Sequence, residues 1–175
     1  MQLFTLYPQI DYKFDTYNTK RAIDITTSIK VKELIKSYRG ILSRPYVVQN
    51  GERPDQVSFK FYGTTDYDWA IMMVNDMYSI YDDWPKSSIE LNNYIIEKYG
   101  SVNNATGSSR YYNQYGDEID LTTYNTLNSN QRTSETLYEY EVRKNFNKSK
   151  IKIILPELIS SIDSQIKSNL NVSIR

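Results

Sequence analysis

The sequence predicts an α+β fold built around one short strand and two helices, and three observations support it. The run Tyr46-Val47-Val48 is β-branched and aromatic, which is typical of a strand, and Asn50-Gly51 then predicts a tight turn. Pro54 suits the first position of a helix, because the N–H that it lacks would have no partner there. The run Trp69 to Val74 is apolar on every side, so we expect a second, buried helix.

The ends of these two helices are also marked in the sequence. The first is predicted to end near Tyr62, and Gly63 fits the left-handed position just past a helix end. The segment Thr64-Thr65-Asp66 offers side-chain oxygens that could cap the second helix. Asn75 is expected to mark the end of that helix.

The first 43 residues are predicted to form an arm, a strand and a helix. Residues 1–22 show neither a strand nor a helix period, so we expect an extended arm anchored by aromatic side chains; packing on the chain's own domain is the open alternative. Residues 23–31 alternate apolar and polar side chains, which predicts a strand, and 32–42 carry a helical stripe. The aromatic side chains of the arm are Phe4, Tyr7, Tyr12, Phe14 and Tyr17.

The middle of the chain predicts a helix and then a linker. Ser87 or Ser88 can cap a helix that runs to about Tyr99, and Gly100 would end it. The small and polar run Ser101 to Ser109 is typical of a linker. The side chains expected to face inward from the helix are Ile89, Tyr94, Ile95 and Ile96.

The segment 110–175 is predicted to be rich in β-structure. Short strands are expected at 110–114 and 118–124, followed by a polar loop at 125–133. The alternating runs 137–142 and 150–155 predict a β-hairpin, and a terminal helix is expected from Pro156. The predicted division is therefore 1–43, a core and following helix at 44–100, a linker at 101–109, and 110–175.

Composition excludes several classes of function. The chain has no cysteine and no histidine, which excludes disulfides, Cys or His zinc sites and His-dependent catalysis. Its 21 basic and 21 acidic residues balance, which argues against a nucleic-acid-binding surface. Neither a signal peptide nor an apolar run of about 20 residues is present, so we expect a soluble protein made in the cytoplasm.

Tyrosine is abundant, while apolar residues are few. Hydrophobic residues make up 39% of the chain, against roughly 45–50% in typical domains, yet it contains 17 tyrosines. Because a tyrosine can bury its ring while its hydroxyl stays wet, this composition suits a subunit that contacts several partners. A general Tyr and Asn bias of the genome would produce the same composition, and both interpretations remain open.

The run GERPDQVSFKFYGTTDYDWAIMMVND, followed by YDDWPKSS and NNYIIEKYGS, resembles a known family. It resembles the baseplate wedge proteins with a LysM-like core of T4-like contractile-tailed bacteriophages, over about residues 24–101. The LysM module is a small βααβ fold, of which the predicted strand and helices would supply βαα. The motif and core residues that the resemblance marks are Tyr46, Gly51, Arg53, Pro54, Tyr62, Gly63, Trp69 and Asn75.

The resemblance implies a structural subunit of the baseplate in the virion tail. It would join neighbouring wedge proteins through protein–protein contacts, with no catalytic site, cofactor or metal. Partners implied are other wedge subunits, neighbouring wedges and the sheath-initiating protein, and neither nucleic acid nor a membrane. The candidate interface residues are Phe4, Tyr7, Tyr12, Phe14 and Trp84, although Trp84 could equally lie in a satellite core under its own loop.

Two alternative functions are weighed against the structural one. LysM modules commonly bind N-acetylglucosamine polymers between two loops, which correspond here to Asn50–Asp55 and Asn75–Tyr78. The bulky Arg53 and rigid Pro54 depart from the usual pattern and speak against a sugar groove. A tail-associated wall hydrolase would need a carboxylate pair. Asp66 and Asp68 suit a helix start better. Asp82 and Asp83 complete the acidic candidates, but they lack the spaced oxygen ligands of a calcium loop.

Overall fold

The computed structural model describes residues 9–13, 19–23, 33–36 and 42–171, which divide into two compact units. Unit 1 contains the described residues up to Trp84 together with those from Lys150 onward, and unit 2 is Pro85–Ser149. Helices and strands occur in both units, so the prediction of an α+β fold is confirmed. The chain leaves unit 1 after Trp84 and returns to it at Lys150.

The described helices and strands are numbered in chain order. They are β1 (Gln9–Lys13), β2 (Thr19–Ile23), α1 (33–36), β3 (Ser43–Val47), α2 (Pro54–Tyr62), α3 (Asp68–Val74), α4 (Ser88–Tyr99), α5 (Val102–Gly107), β4 (Ser109–Asn113), β5 (Glu118–Ile119), α6 (Leu121–Thr126), β6 (Arg132–Thr136), α7 (Leu137–Ser149), β7 (Lys150–Ile154) and α8 (Pro156–Asn171).

Unit 1 is built on an antiparallel pair of strands that are distant in the sequence. Strand β3 pairs with β7, with Tyr46 opposite Ile151, and the Leu155 N–H extends the ladder to the Leu42 carbonyl at 3.0 Å. Helices α2 and α3 lie between these strands in the sequence, and α3 packs against β7. The order strand, helix, helix, strand is therefore completed only after the chain has passed through unit 2.

The core of unit 1 consists of two apolar clusters that α3 links. Trp69, on α3, is 3% exposed and packs in one cluster with Ile154 and with Ile162 of α8. Ile71, on the other side of α3, packs in the second cluster with Val57 of α2 and Ile151 of β7. The prediction that Trp69 lies in the core of a buried helix is confirmed.

Local sequence signals define both ends of α2. Pro54 is the first helical residue and is fully buried. Gly63 follows the last residue with φ 73°, and its N–H donates to the Phe59 carbonyl at 2.9 Å. Since φ in this range is strained for other residues, glycine is the residue that this helix end requires. Both predictions about α2 are confirmed.

The start of α3 differs from the predicted Thr64–Asp66 cap. Tyr67 is the capping residue, and its backbone N–H donates to the Ser58 hydroxyl at 3.2 Å. That hydroxyl donates in turn to the Thr64 carbonyl at 2.7 Å, so a buried serine of α2 fixes the turn into α3. The Asp66 carboxylate instead accepts from Thr64 Oγ1 at 3.0 Å.

Within the predicted extended arm, residues 9–13 and 19–23 form two paired strands. Strand β1 pairs antiparallel with β2, with Asp11 opposite Arg21, and every residue of both strands is exposed. The predicted strand at 23–31 lies, apart from Ile23, outside the described residues. Of the predicted helix at 32–42, residues 33–36 are helical, and Leu42 lies in a turn.

Helix α4 of unit 2 begins and ends as predicted. Ser87 accepts from the Glu90 N–H, the Glu90 carboxylate accepts from the Ser87 N–H, and Gly100 follows the helix with φ 82°. The predicted inward face is partly wrong, since Ile89 and Ile96 are 75% and 45% exposed. Leu91 and Ile95 are the buried residues, because they lie one turn apart on the face that meets α5 and α7.

The segment predicted as a linker is helix α5. The Ser101 hydroxyl accepts from the Asn104 N–H at 3.0 Å, and Ala105 is fully buried beside Ile95. A small side chain lets the short helix approach α4 closely, so a composition that resembles a linker belongs to a packed element.

The hairpin of β4 and β5 is confirmed, with Tyr111 opposite Ile119, but β5 is only two residues long. The predicted strand at 118–124 is replaced from Leu121 by α6, which Asp120 caps by accepting from the Thr123 N–H at 3.0 Å. The predicted loop at 125–133 contains a 3-10 turn at Ser129–Gln131, after which β6 pairs with the other edge of β4.

The hairpin predicted for 137–155 is wrong, because 137–149 form helix α7 and β7 pairs with β3. Thr136 and Glu139 cap α7 reciprocally: the Thr136 N–H donates to the Glu139 carboxylate at 2.7 Å, and the Glu139 N–H to Thr136 Oγ1 at 3.1 Å. Glu141 is 3% exposed and accepts from Lys98 Nζ at 2.6 Å and the Tyr99 hydroxyl at 2.8 Å. The alternating pattern of residues 137–142 therefore belongs to a helix in which one acidic side chain, Glu141, is buried and paired.

Replacing Trp69 with alanine should destabilise unit 1 by about 3–5 kcal/mol, because a large buried ring would leave a cavity. Urea denaturation followed by the fluorescence of Trp84, also in unit 1, measures this change. Phe59→Ala is the matched control, since that ring on α2 is 63% exposed and should shift stability by no more than about 0.5 kcal/mol. Equal midpoints for Trp69→Ala and the parent would contradict the core assignment.

Candidate functional site

The motif residues gather around the loop that joins β3 to α2. Gly51 adopts φ 76° in the predicted turn, and the Glu52 N–H donates to the Gln49 carbonyl at 3.0 Å. The Arg53 N–H donates to Gln56 Oε1 at 2.9 Å, which closes the start of α2. The loop is therefore held by short-range hydrogen bonds to its backbone.

The Glu52 side chain accepts several of the hydrogen bonds that hold this loop. Its carboxylate accepts from the Tyr46 hydroxyl at 2.6 Å, the Gln49 N–H at 3.0 Å and Lys60 Nζ at 3.3 Å. Burial disfavours the ionised form, but these hydrogen bonds and the Lys60 charge outweigh it, so the pKa of Glu52 is lowered. The polar groups of the loop thus satisfy one another.

The guanidinium of Arg53 is largely exposed and lies near Asp55. Its side chain is 70% exposed, and Nε lies 3.4 Å from Asp55 Oδ1. Because exposed ion pairs contribute little to stability, this pair does not explain why an arginine stands here.

Asn75 connects the end of α3 to β7. Its Nδ2 donates to the Ile71 and Lys152 carbonyls at 2.8 Å each, and its Oδ1 accepts from the Lys152 N–H at 2.8 Å. The amide pairs with the Lys152 backbone much as a neighbouring strand residue would. The prediction placed Asn75 at the helix end, and the contact with β7 is the part that sequence reasoning missed.

Both free edges of the β3–β7 pair are obstructed. On β7, the Asn75 amide bonds the backbone carbonyl and N–H of Lys152, and the Tyr62 hydroxyl donates to the Ile154 carbonyl at 3.1 Å. Burial raises the pKa of Tyr62, so this hydroxyl stays protonated and can donate. On β3, Pro45 lies opposite Lys152, whose backbone groups face away from it. The Pro45 nitrogen therefore points to the outer edge, where it has no hydrogen to donate.

Trp84 lies in the core of unit 1. This agrees with the interpretation that it belongs to a core under its own loop, and its prediction as an interface residue is wrong. It is 4% exposed, packs in the cluster that contains Val57, and donates from Nε1 to the Glu52 carbonyl at 2.8 Å. An indole that has both an apolar pocket and a hydrogen-bond acceptor is stable when buried.

The remaining interface candidates are on the N-terminal segment. Tyr12 lies on β1 and is 54% exposed. Phe4, Tyr7 and Phe14 lie outside the described residues, so their role stays a prediction.

The acidic residues considered for hydrolysis serve local structure. Asp68 Oδ1 accepts from the Trp69 N–H at 2.8 Å, and burial raises the pKa of this acid. The Asp82 and Asp83 carboxylates accept from the turn that contains them, at Ser79 Oγ and at two backbone N–H groups. Hydrogen bonds of this kind fix backbone geometry and require no substrate.

Sequence reasoning missed the most exposed apolar side chains of unit 1 after α3. Tyr78 is 67%, Ile80 40% and Tyr81 84% exposed, although the buried Trp84 follows Tyr81 by only three residues. The aromatic run itself was the available signal, but the sequence alone did not show which of its rings is buried.

Unit 2 contains an open cleft of about 580 Å³ whose charged groups are already paired. Within it, Glu135 accepts from Arg143 at 2.6 and 2.9 Å and from the Tyr112 hydroxyl at 2.6 Å, and Arg132 donates to the Tyr124 carbonyl at 2.8 Å. These contacts leave the cleft without a distinct ligand chemistry.

Within the described ranges, no helix has the length and apolar character needed to cross a membrane.

Comparison with known proteins gives two matches. Residues 2–131 match the family described as Base plate wedge protein 53. The matched segment includes β3, α2 and α3 and ends before β7. The chain is also 26% identical over 108 residues to baseplate wedge protein gp53 of Enterobacteria phage T4, covering 57% of this chain and 53% of that protein. The chain therefore spans about half the length of the curated relative that it matches.

Replacing Asn75 with alanine should destabilise unit 1 by about 1–3 kcal/mol, because the Ile71 and Lys152 backbone groups would lose their partners. Asn75→Asp should be no less damaging at neutral pH, since a carboxylate cannot donate to the two carbonyls. Urea denaturation followed by tryptophan fluorescence measures both. Gln49→Ala removes an amide with one exposed bond, to the Val47 carbonyl, and should cost at most about 0.5 kcal/mol. A similarly small effect at Asn75 would show that the amide does not hold β7.

Proposed function

From the premise that this chain belongs to the Base plate wedge protein 53 family, we propose that it joins neighbouring wedge proteins in the baseplate of a contractile phage tail. It would be made in the host cytoplasm and act in the virion. Its partners would be other wedge subunits, adjoining wedges and the sheath-initiating protein, and it would hold them without catalysis or a cofactor.

We further propose that β3, α2, α3 and β7 form a LysM-type core into which unit 2 is inserted. The order strand, helix, helix, strand and the antiparallel β3–β7 pair support this proposal. So do the Gly51 turn, the Gly63 helix end and the position of Asn75. An insertion between the second helix and the second strand would explain why β7 lies some hundred residues after β3.

One observation favours the structural function over glycan binding. In each of the two loops in which a LysM module would hold a sugar, one polar side chain is engaged within the protein. Glu52 is engaged by Tyr46, Gln49 and Lys60, and Asn75 is engaged by Ile71 and Lys152. A sugar would have to replace hydrogen bonds that hold the fold. The free energy lost with those bonds would offset the free energy gained from the new ones.

The purified chain should therefore join wedges and should not bind cell-wall sugars. Sedimentation velocity with the other purified wedge subunits of the same phage should show this chain moving with the larger complex. Calorimetric titration with chitin oligomers and peptidoglycan fragments should show no micromolar binding. Micromolar sugar affinity without co-sedimentation would replace the structural function by the glycan-binding one.

The aromatic side chains of the N-terminal segment are proposed to contact partners. Tyr12 is half exposed, and β1 and β2 bury none of their residues, so this hairpin gains little from the chain's own core. Rings of this kind can gain more by entering a partner's pockets at assembly.

Removing residues 1–20 should leave the thermal transition almost unchanged and impair incorporation into wedges. A variant with serine at Phe4, Tyr7, Tyr12 and Phe14 should show the same defect at full chain length, because it loses the rings alone. Its control carries alanine at Thr5, Thr16 and Asn18 in the same segment. Calorimetry and co-sedimentation are the measurements. Normal incorporation of the serine variant would refute the proposal.

A further inference from the structure

The turn between α3 and Trp84 presents a compact apolar surface. We name residues 78–83 the aromatic turn. Its Tyr78, Ile80 and Tyr81 side chains are 67%, 40% and 84% exposed. Single exposed apolar residues are ordinary, but three large ones within four consecutive positions form a patch.

The backbone of the aromatic turn is fixed by its own acids. Asp83 Oδ2 accepts from the N–H groups of Tyr78 at 2.7 Å and Ser79 at 3.0 Å, and the Asp83 N–H donates to the Ser79 carbonyl at 2.9 Å. Ser79 Oγ donates to Asp82 Oδ2 at 2.8 Å and accepts from the Asp82 N–H at 3.2 Å. The turn therefore keeps its conformation while its apolar side chains face solvent.

Both ends of the aromatic turn are anchored in the core of unit 1. Before it, the Met77 N–H donates to the Met72 carbonyl at 2.9 Å, and the Met77 side chain packs against the cluster of Ile71. After it, Trp84 is buried and bonded to the Glu52 carbonyl. A binding loop held in this way loses little conformational freedom on association, which favours affinity.

The aromatic turn itself carries two acidic side chains, Asp82 and Asp83, and no basic one. Asp76, just before the turn, is already paired with Lys36 Nζ at 2.6 Å. Asp82, next to Tyr81, is exposed. A complementary surface would carry lysine or arginine near the recess that receives the rings.

We propose that the aromatic turn is the surface through which unit 1 docks into another wedge protein, whose site is an apolar recess with a basic rim. This inference rests on the proposed function and assigns it a contact. Strand addition is disfavoured at the β3–β7 pair, because Pro45, Asn75 and Tyr62 obstruct parts of its edges. Tyrosine anchors on a fixed loop are the kind of residues that dominate binding energy at interfaces.

The test compares four chains by sedimentation with the other purified wedge subunits of the same phage. They are the parent, the double variant Tyr78→Ser with Tyr81→Ser, the single variant Asp82→Lys, and the control Tyr115→Ser. Tyr115 is 80% exposed on unit 2, so the control removes an equally exposed ring elsewhere. Circular dichroism and tryptophan fluorescence show whether each variant keeps the parent fold.

We expect the double variant to associate at least 30-fold more weakly, which corresponds to one lost hot spot of about 2 kcal/mol. Asp82→Lys should weaken association most at low salt, since it reverses the charge that faces the basic rim. The control should remain within about twofold of the parent. If the double variant loses its fold, the single variant Tyr81→Ser carries the same comparison.

Other outcomes overturn the assignment. Equal association of the parent and the double variant would remove the aromatic turn from the interface while leaving the proposed function intact. A parent that does not associate would remove both. Self-association of the parent that the double variant abolishes would make a second copy the occupant. Chitin-oligomer binding that depends on Tyr78 and Tyr81 would make the turn a sugar platform.

Discussion

The pairing of β3 with β7, secured by the Asn75 amide, is the constraint on which unit 1 depends. Asn75 bonds the end of α3 to the backbone of Lys152, 77 residues later in the chain. This contact places Ile151 and Ile153 in one apolar cluster and Ile154 in the other, so both clusters close only when β7 is in place. The family match ends at residue 131, before β7, although the core of the matched part needs that strand.

The same contacts restrict how unit 1 can meet other proteins. A two-stranded sheet normally offers two edges to which a further strand could add. Here one edge carries Asn75 and the Tyr62 hydroxyl, and the other carries Pro45. Among the surfaces that remain, the loop between α3 and Trp84 combines exposed rings with a backbone fixed by its own carboxylates. A structural subunit gains from this division, because a core whose sheet edges disfavour strand addition is less prone to polymerise through its sheet.

Prediction from sequence succeeded where one residue determines one local geometry. Pro54 at the start of α2, Gly63 at its end and Ser87 before α4 each act through the backbone of their own turn. It failed where two conformations shared one pattern. The alternation in 137–142 suited a strand, and the Thr136–Glu139 capping pair that marks α7 was the overlooked local signal. The predicted linker at 101–109 failed for a related reason, since small residues suit both a flexible chain and close helix packing.

The sequence by itself determined the fold class, the ends of α2 and α4, the buried helix of Trp69 and the family resemblance. These follow from propensities and motifs that act within a few residues. Only the tertiary structure decided that β7 pairs with β3, that Trp84 is buried and that Tyr78 and Tyr81 are exposed. Strand partners and the burial of one ring among several depend on contacts between residues far apart in the chain. No local pattern encodes such contacts, because their free energy exists only once the distant segments meet.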